Sequence, residues 1–200
     1  MKQRILLTLL LLIGLSYVVI HMQTVSFDYA IMSWFHHWHT ASLDLLFTQL
    51  TWLGSLWFLL PLSALVCIPI YKKQKSALLW ASSLFFFSTL TARLMKYLIN
   101  RTRPDFFQSL IPLPSDPSFP SAHTTQAFSF VLALWLFFRL TGHPLKYSLL
   151  LPLFLFSFLV ALSRIYLQVH FPTDVIAGIL IALFWTYTIL LLHKEFYHEK

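Results

Sequence analysis

The chain has 200 residues, of which 58% are hydrophobic and 10% are charged, and its formal net charge is +7. Soluble domains carry about 25% charged residues, so the composition excludes an ordinary soluble domain and indicates one integral membrane domain, residues 1–200. A single cysteine, Cys67, excludes both an intrachain disulfide and a cysteine cluster for zinc.

Six apolar runs predict six membrane-spanning helices, each near the roughly 20 residues that cross a bilayer. The runs cover residues 5–22, 53–71, 77–95, 123–141, 147–165 and 174–193. The first run follows Lys2 and Arg4, as in a signal peptide, but it has no convincing small-residue cleavage site, so we expect a span. The predicted fold is therefore all-α, a bundle of six transmembrane helices.

Two connecting segments are too long for simple turns. Segment 22–52 has apolar residues at roughly helical spacing and two tryptophans, which predicts an amphipathic helix at the membrane interface after the first span. Its three histidines are interpreted as interfacial residues and not as metal ligands; they are His36, His37 and His39. Loop 104–120 holds five of the ten prolines, which predicts an irregular loop or a lid.

The distribution of basic residues predicts an orientation, because cytoplasmic loops are enriched in lysine and arginine. With six spans, nine basic residues fall on one side: Lys2, Arg4, Lys72, Lys73, Lys75, Arg139, Lys146, Lys194 and Lys200. We expect that side, with both termini, to be cytoplasmic. The other five basic residues gather at the outer end: Arg93, Lys96, Arg101, Arg103 and Arg164. Cations placed against the topological preference favour a bound anion there.

The stretch KYLINRTRP contains the first cluster. Lys96 and Arg103 lie seven residues apart, so they share a face if the helix continues, and two cations on one face suit a phosphate. Snorkelling charges at a helix end are the alternative, and for these two residues both interpretations stay open. For Arg93 and Arg101 we favour snorkelling.

The stretch PSAH contains the second cluster. Ser121 is a plausible N-cap, and the free N–H groups of the first helical turn can bind an anion. His123 lies in the same turn and could give a proton to a leaving oxygen. Taken alone, the stretch favours a capped helix with an interfacial histidine.

The stretch SRIYLQVHFPTD contains the third cluster. Ser163 and His170 could share a face, and Thr173 could cap the last helix, so that Asp174 faces back towards His170. An Asp–His pair keeps one imidazole nitrogen protonated and leaves the other free as a base or nucleophile. Arg164 adds a third cation, although a structural Arg–Asp pair beside an uninvolved histidine would give the same pattern.

Together the motifs Lys-x6-Arg-Pro, Pro-Ser-x-His and Ser-Arg-x5-His-x3-Asp, in this order on one membrane face, resemble the type 2 phosphatidic acid phosphatase family of integral membrane lipid phosphatases. The resemblance covers residues of about 50–190. It implies that His170 is the nucleophile that forms a phosphohistidine and that Asp174 orients it. His123 would protonate the leaving group and then activate water. The implied phosphate-binding residues are Lys96, Arg103, Ser121, Ala122 and Arg164.

One position departs from the family, which usually has glycine where this chain has Ala122. Alanine supplies the same backbone N–H, but it would cost about 1–2 kcal/mol if the position needed a positive φ. Its methyl group would crowd the phosphate if glycine were needed for a close approach.

The resemblance implies a phosphatase that acts on the terminal phosphate of a lipid phosphate or diphosphate, without a metal or other cofactor, because three fixed cations can neutralise the phosphate. Undecaprenyl diphosphate and phosphatidylglycerol phosphate are the first candidates, and phosphatidic acid is the third. The expected partners are this lipid and the bilayer, with no nucleic acid. Small size and resemblance together imply a bacterial cytoplasmic membrane, with the site on its outer face.

Three other functions remain as alternatives. An intramembrane serine hydrolase could use Ser121, a histidine and Asp174, but an ester carbonyl needs an oxyanion hole and not three cations. A small transporter or channel would carry polar residues in both halves of the membrane, whereas here they gather at one end. A haloperoxidase would need bound vanadate. The pattern predicts no oligomeric state.

Overall fold

The structure, a computed structural model, describes residues 1–22, 26–71 and 74–198. Within these residues it has no strand and eight helices, so the all-α prediction is confirmed. The helices are α1 (Lys2–Met22), α2 (Ser26–His36), α3 (Ala41–Leu53), α4 (Leu56–Tyr71), α5 (Lys75–Ile99), α6 (Ala122–Leu140), α7 (Tyr147–Tyr166) and α8 (Pro172–His198). Three of the basic residues used to predict the topology lie outside the described part of the chain: Lys72, Lys73 and Lys200.

Four helices, α1, α5, α7 and α8, are long and apolar enough to cross a membrane. A fifth span is obtained if α3 and α4, which meet at an angle of 54°, are taken together. The count of six spans therefore stays a prediction, and it depends on α6. This helix begins with several polar residues that lower its mean hydropathy, but most of its side chains are buried against other helices. A central helix needs less apolar surface than one that faces lipid.

The segment predicted as one interfacial helix forms two helices, α2 and α3. The break follows from Thr40, whose extended backbone and side chain cap α3 by accepting a hydrogen bond from the Leu43 N–H at 3.4 Å. Asp28 of α2 is completely buried, so α2 packs into the protein on one side. Its position at a membrane interface stays a prediction.

The ends of four helices gather at one end of the bundle: the C-terminal ends of α5 and α7 and the N-terminal ends of α6 and α8. The loop 100–121 lies at the same end, because Asn100 ends α5 in the left-handed conformation (φ 49°, ψ 42°) and Ser121 caps α6. All eight candidate site residues are located on these ends, on this loop or on the short α7–α8 connection.

Candidate functional site

His170 and Asp174 form the centre of the site. His170 follows the end of α7 and Asp174 is in the first turn of α8; Nδ1 of the imidazole lies 3.2 Å from Oδ2 of the carboxylate. The other ring nitrogen, Nε2, lies 3.4 Å from Nη1 of Arg103. We assign the proton to Nδ1, because Asp174 accepts it and the guanidinium can only donate. The lone pair on Nε2 therefore points towards the cations.

The surroundings keep His170 uncharged. Its side chain is 2% exposed. Burial, followed by the charges of Lys96, Arg103 and Arg164, holds the pKa of His170 well below its ordinary value. A neutral imidazole with a free Nε2 is the form that can act as a nucleophile.

Asp116 joins two of the predicted cations. Its carboxylate lies 3.1 Å from Nζ of Lys96 and 2.7 Å from Nη2 of Arg103, and its carbonyl accepts from Nε of Arg103 at 3.0 Å. Burial alone would raise the pKa of Asp116, but the two cations bring it below the ordinary value. The prediction that Lys96 and Arg103 share a helical face is wrong, since α5 ends at Ile99. They meet because the loop folds back.

Arg164, on the last turn of α7, is 2% exposed. Its Nη1 donates to Thr51 Oγ1 on α3, whereas its Nε is buried and makes no hydrogen bond with the described residues. The carbonyl of Arg164 accepts from the N–H groups of Val169 and His170, each at 3.2 Å. Arg164 therefore holds the backbone of His170 and also leaves a buried donor for another group.

Ser121 caps α6 as predicted. Its side chain accepts from the backbone N–H of Thr124 at 3.4 Å and from Thr124 Oγ1 at 3.0 Å. Its own N–H donates to the Asp174 carbonyl at 3.0 Å, which ties the α6 N-terminus to α8. Gly178 permits this approach: a Cβ at that position would lie 2.9 Å from the Ser121 carbonyl oxygen.

Ala122 is the first residue of α6. Positive φ among the described non-glycine residues is confined to Asn100 and Gln168, so alanine causes no strain of that kind here. Beside it, His123 lies within electrostatic reach of Arg164, Lys96 and Arg103. The eight predicted residues are thus brought to one end of the bundle.

Sequence reasoning missed a buried hydrogen-bond network around Arg101, a residue that was interpreted as a snorkelling charge. That interpretation is wrong, because Arg101 is completely buried. Its Nη1 donates to Asp174 Oδ1 at 2.6 Å and its Nη2 to Asp28 Oδ2 at 2.8 Å. Its guanidinium lies 3.8 Å from the centre of the Phe171 ring. Arg101 thus connects α2 to the carboxylate that holds His170.

Two further residues complete this network. Ser118 donates from its hydroxyl to Asp174 Oδ2. Thr173 does not cap α8 as predicted, since the helix begins at Pro172; its N–H donates to Asp28 Oδ1 at 2.9 Å and its hydroxyl to Asp28 Oδ2 at 2.8 Å. Ser163 does not share a helical face with His170 either, because α7 ends at Tyr166.

The three histidines of the HHWH stretch make protein contacts outside this cluster. His36 stacks on Phe107 with ring centres 4.2 Å apart. His39 Nε2 lies 3.1 Å from the Tyr166 carbonyl, and His37 Nδ1 lies 2.7 Å from the Ser33 carbonyl. The interpretation of these histidines as interfacial residues, and metal independence itself, stay predictions.

Two cavities open between the helices. One, of about 450 Å³, is lined by apolar side chains of α4, α5 and α6, and Arg93 lies on its wall. The other, of about 1190 Å³, lies at the opposite end of the bundle, where Arg4, Arg139 and Lys194 line it. Because the larger cavity is far from the His170–Asp174 pair, size alone does not indicate the functional site. The smaller cavity runs along α5 and α6 and extends to Arg93, near the end of α5 that contributes to the site.

The fold and the site define a class of protein: an all-helical membrane protein with a histidine–aspartate pair beside a cluster of cationic side chains. Residues 77–197 match the family model of the PAP2 superfamily, and the chain belongs to that superfamily. The resemblance seen in the sequence is confirmed, and the matched range contains all eight predicted site residues. Its apolar helices and its membrane relatives make this a bacterial membrane protein.

Individual relatives are similar over different lengths. A decaprenylphosphoryl-5-phosphoribose phosphatase of Mycobacterium tuberculosis is 36% identical over 62% of this chain, and the match spans 63% of that relative's length. Undecaprenyl-diphosphatase BcrC of Bacillus subtilis is 36% identical over 38% of this chain and 35% of its own length. A solved structure, the transmembrane PAP2 type phosphatidylglycerolphosphate phosphatase of Bacillus subtilis, has a TM-score of 0.83 with 26% identity over 96% of both chains.

Proposed function

We propose that this chain is a lipid phosphatase that removes the terminal phosphate of a lipid phosphate or diphosphate through a phosphohistidine intermediate. The observation that carries the proposal is the orientation of His170: Nδ1 faces Asp174 while Nε2 faces Arg103. The attacking nitrogen points towards buried cations. If those cations bind the oxygens of a phosphate, its phosphorus atom lies in front of this nitrogen. Phosphoryl transfer depends mainly on such positioning and charge stabilisation.

In the first step, Nε2 of His170 attacks the terminal phosphorus, an N–P bond forms and the P–O bond to the lipid breaks. His123 gives its proton to the leaving oxygen. Asp174 stabilises the positive charge that develops on His170. The backbone N–H groups of residues 121–123, at the α6 N-terminus, add donors to the phosphate oxygens.

Three cations would hold the phosphate oxygens: Lys96, Arg103 and Arg164. The buried Nε of Arg164, which lacks a hydrogen bond among the described residues, supports this role because a phosphate oxygen would satisfy it. Asp116 now bridges Lys96 and Arg103, so an arriving phosphate would compete with that carboxylate for the same donors.

In the second step, His123 takes a proton from water, the oxygen attacks phosphorus and the N–P bond breaks. The products are inorganic phosphate and the free histidine. Because Ser121 Oγ is engaged with Thr124 as a helix cap, it is a weaker candidate for a nucleophile than His170. This favours the phosphatase over a serine hydrolase.

The substrate is proposed to be amphiphilic, with its phosphate at the cluster and its tail in the 450 Å³ cavity between α4, α5 and α6. Undecaprenyl diphosphate and phosphatidylglycerol phosphate are preferred, because relatives with those printed activities are similar to this chain. Phosphatidic acid is the third candidate. The site is proposed to lie on the outer face of the cytoplasmic membrane, with both termini in the cytoplasm.

The test is phosphate release by purified protein from these three lipids, with and without excess chelator. We expect release that persists in chelator and is lost in His170→Ala. With ³²P-labelled substrate, a quenched reaction should yield protein-bound label that is stable to alkali and labile to acid, and His123→Asn should retain it longer. Near wild-type turnover of the His170→Ala variant would overturn the proposed nucleophile.

A further inference from the structure

Arg93 has no place in the mechanism above, although it lies near the site. It is an exposed side chain on α5, one helical turn before Lys96, and it lines the apolar cavity together with Phe86 and Leu90. No carboxylate in residues 1–22, 26–71 or 74–198 forms an ion pair with it. A cation on an apolar wall inside a membrane span is costly unless an anion or water reaches it.

The packing of α5 against α6 sets the depth of Arg93. Near the start of α5, Ala77 and Ala81 share a cluster with Phe137, and further along Phe85 packs against a cluster that contains Phe130, Val131 and Leu134, so the two helices run antiparallel. Continued along α5, this packing brings Arg93 level with the first turn of α6, and the neighbouring Ala92 shares a cluster with Phe119, just before α6 begins. Lys96 is three residues further on, about 4.5 Å along the helix axis. Arg93 therefore lies at the depth of the phosphate-binding N–H groups but on the cavity side.

We propose that Arg93 binds the second phosphate of a lipid diphosphate, the one that stays on the lipid, and thereby favours diphosphates over monophosphates. This inference rests on the proposed function. In a bound diphosphate, Lys96 and Arg103 hold the terminal phosphate and the lipid tail lies in the cavity. The second phosphate therefore lies between this cation cluster and the cavity. Arg93 is at this junction, and a guanidinium can give an anion two parallel hydrogen bonds.

The same position gives Arg93 a part in the reaction of a diphosphate. When Nε2 of His170 attacks the terminal phosphorus, the bond from that phosphorus to the bridging oxygen breaks, and a lipid monophosphate leaves. Negative charge then increases on the second phosphate. A fixed cation beside it stabilises this charge, and the bridging oxygen still receives its proton from His123.

Farnesyl diphosphate and farnesyl phosphate test the inference, because they share one tail and differ only by the second phosphate. We expect wild-type protein to have the higher kcat/KM for the diphosphate. In Arg93→Gln, the ratio of kcat/KM for diphosphate to that for monophosphate should fall about tenfold or more, as expected for loss of a charged hydrogen bond. Arg93→Lys, which keeps the charge, should retain most of the preference.

Arg139→Gln is the matched control, since it removes an arginine from the other end of the bundle and should leave the ratio unchanged. An unchanged ratio in Arg93→Gln would overturn the inference while the phosphatase activity itself stands. Equal losses on both probes count as this outcome, because they leave the ratio unchanged. Release of phosphate from neither probe nor any of the three lipids by wild-type protein would instead overturn the proposed function, and the inference with it.

Discussion

The contacts of the buried Arg101 allow the loss of stability on its substitution to be predicted. Arg101→Met keeps an apolar chain of similar length but leaves Asp28 and Asp174 buried together without their shared cation. Both carboxylates are completely buried, with partner distances of 2.8 and 2.6 Å. Removing one partner of such a pair costs about 3–5 kcal/mol of unfolding free energy. For a chain of this size that corresponds to a lowering of Tm by roughly 6–20 °C.

The measurement is thermal unfolding in detergent micelles, followed by tryptophan fluorescence, with phosphate release on the same samples. Arg139→Met is the control, because Arg139 is exposed and its loss should change stability by no more than about 0.5 kcal/mol. Adding Asp28→Asn to Arg101→Met removes one of the two orphaned charges and should restore part of the lost stability, since Thr173 N–H can still donate to the amide oxygen. A Tm for Arg101→Met equal to that of Arg139→Met would refute the reasoning.

Three other outcomes are expected. Gly178→Ala should be about 1–3 kcal/mol less stable than Gly14→Ala and should release phosphate more slowly, because its Cβ would press on the Ser121 carbonyl while nothing lies within 4 Å of a Cβ at Gly14; equal stability in urea titrations would contradict this. Burial and cations lower the pKa of His170, so NMR of ¹⁵N-labelled histidine should find this ring neutral at pH 6. Since the unfolded chain accepts that proton near its ordinary pKa of about 6.5, lowering the pH through that value should reduce the free energy of unfolding, and a pH-independent unfolding midpoint would argue against it. Activity that is lost in chelator and restored by one divalent ion would show that the expected metal independence is wrong.

The motifs were readable from sequence because each is local. Ser121 could be predicted as a cap from one serine before an apolar run, and the His170–Asp174 pair from a spacing of four residues across a proline. Both are present in the structure. The all-α fold followed from composition in the same way, since long apolar runs in a membrane form helices.

The rest depended on contacts between distant segments. Arg101 and Asp28 are 73 residues apart, and nothing in either neighbourhood indicates that α2 buries a carboxylate against this arginine. Lys96 and Arg103 were expected to meet on one helix, but Asn100 ends α5 and a loop carboxylate, Asp116, brings them together. The one signal in the sequence that could have indicated this bridge was Asp116 itself, a carboxylate that lies shortly before the PSAH motif in the loop that follows the cations.

The carbonyl of Arg164 has a consequence for how mutations at that position should be interpreted. It accepts the N–H groups of Val169 and His170, so the path of the chain into the nucleophile is fixed by the peptide backbone of α7. This carbonyl oxygen belongs to the backbone, so any residue at position 164 supplies it, whatever its side chain. Substitution of Arg164 therefore removes a guanidinium from the site but leaves in place the carbonyl that anchors the backbone of His170.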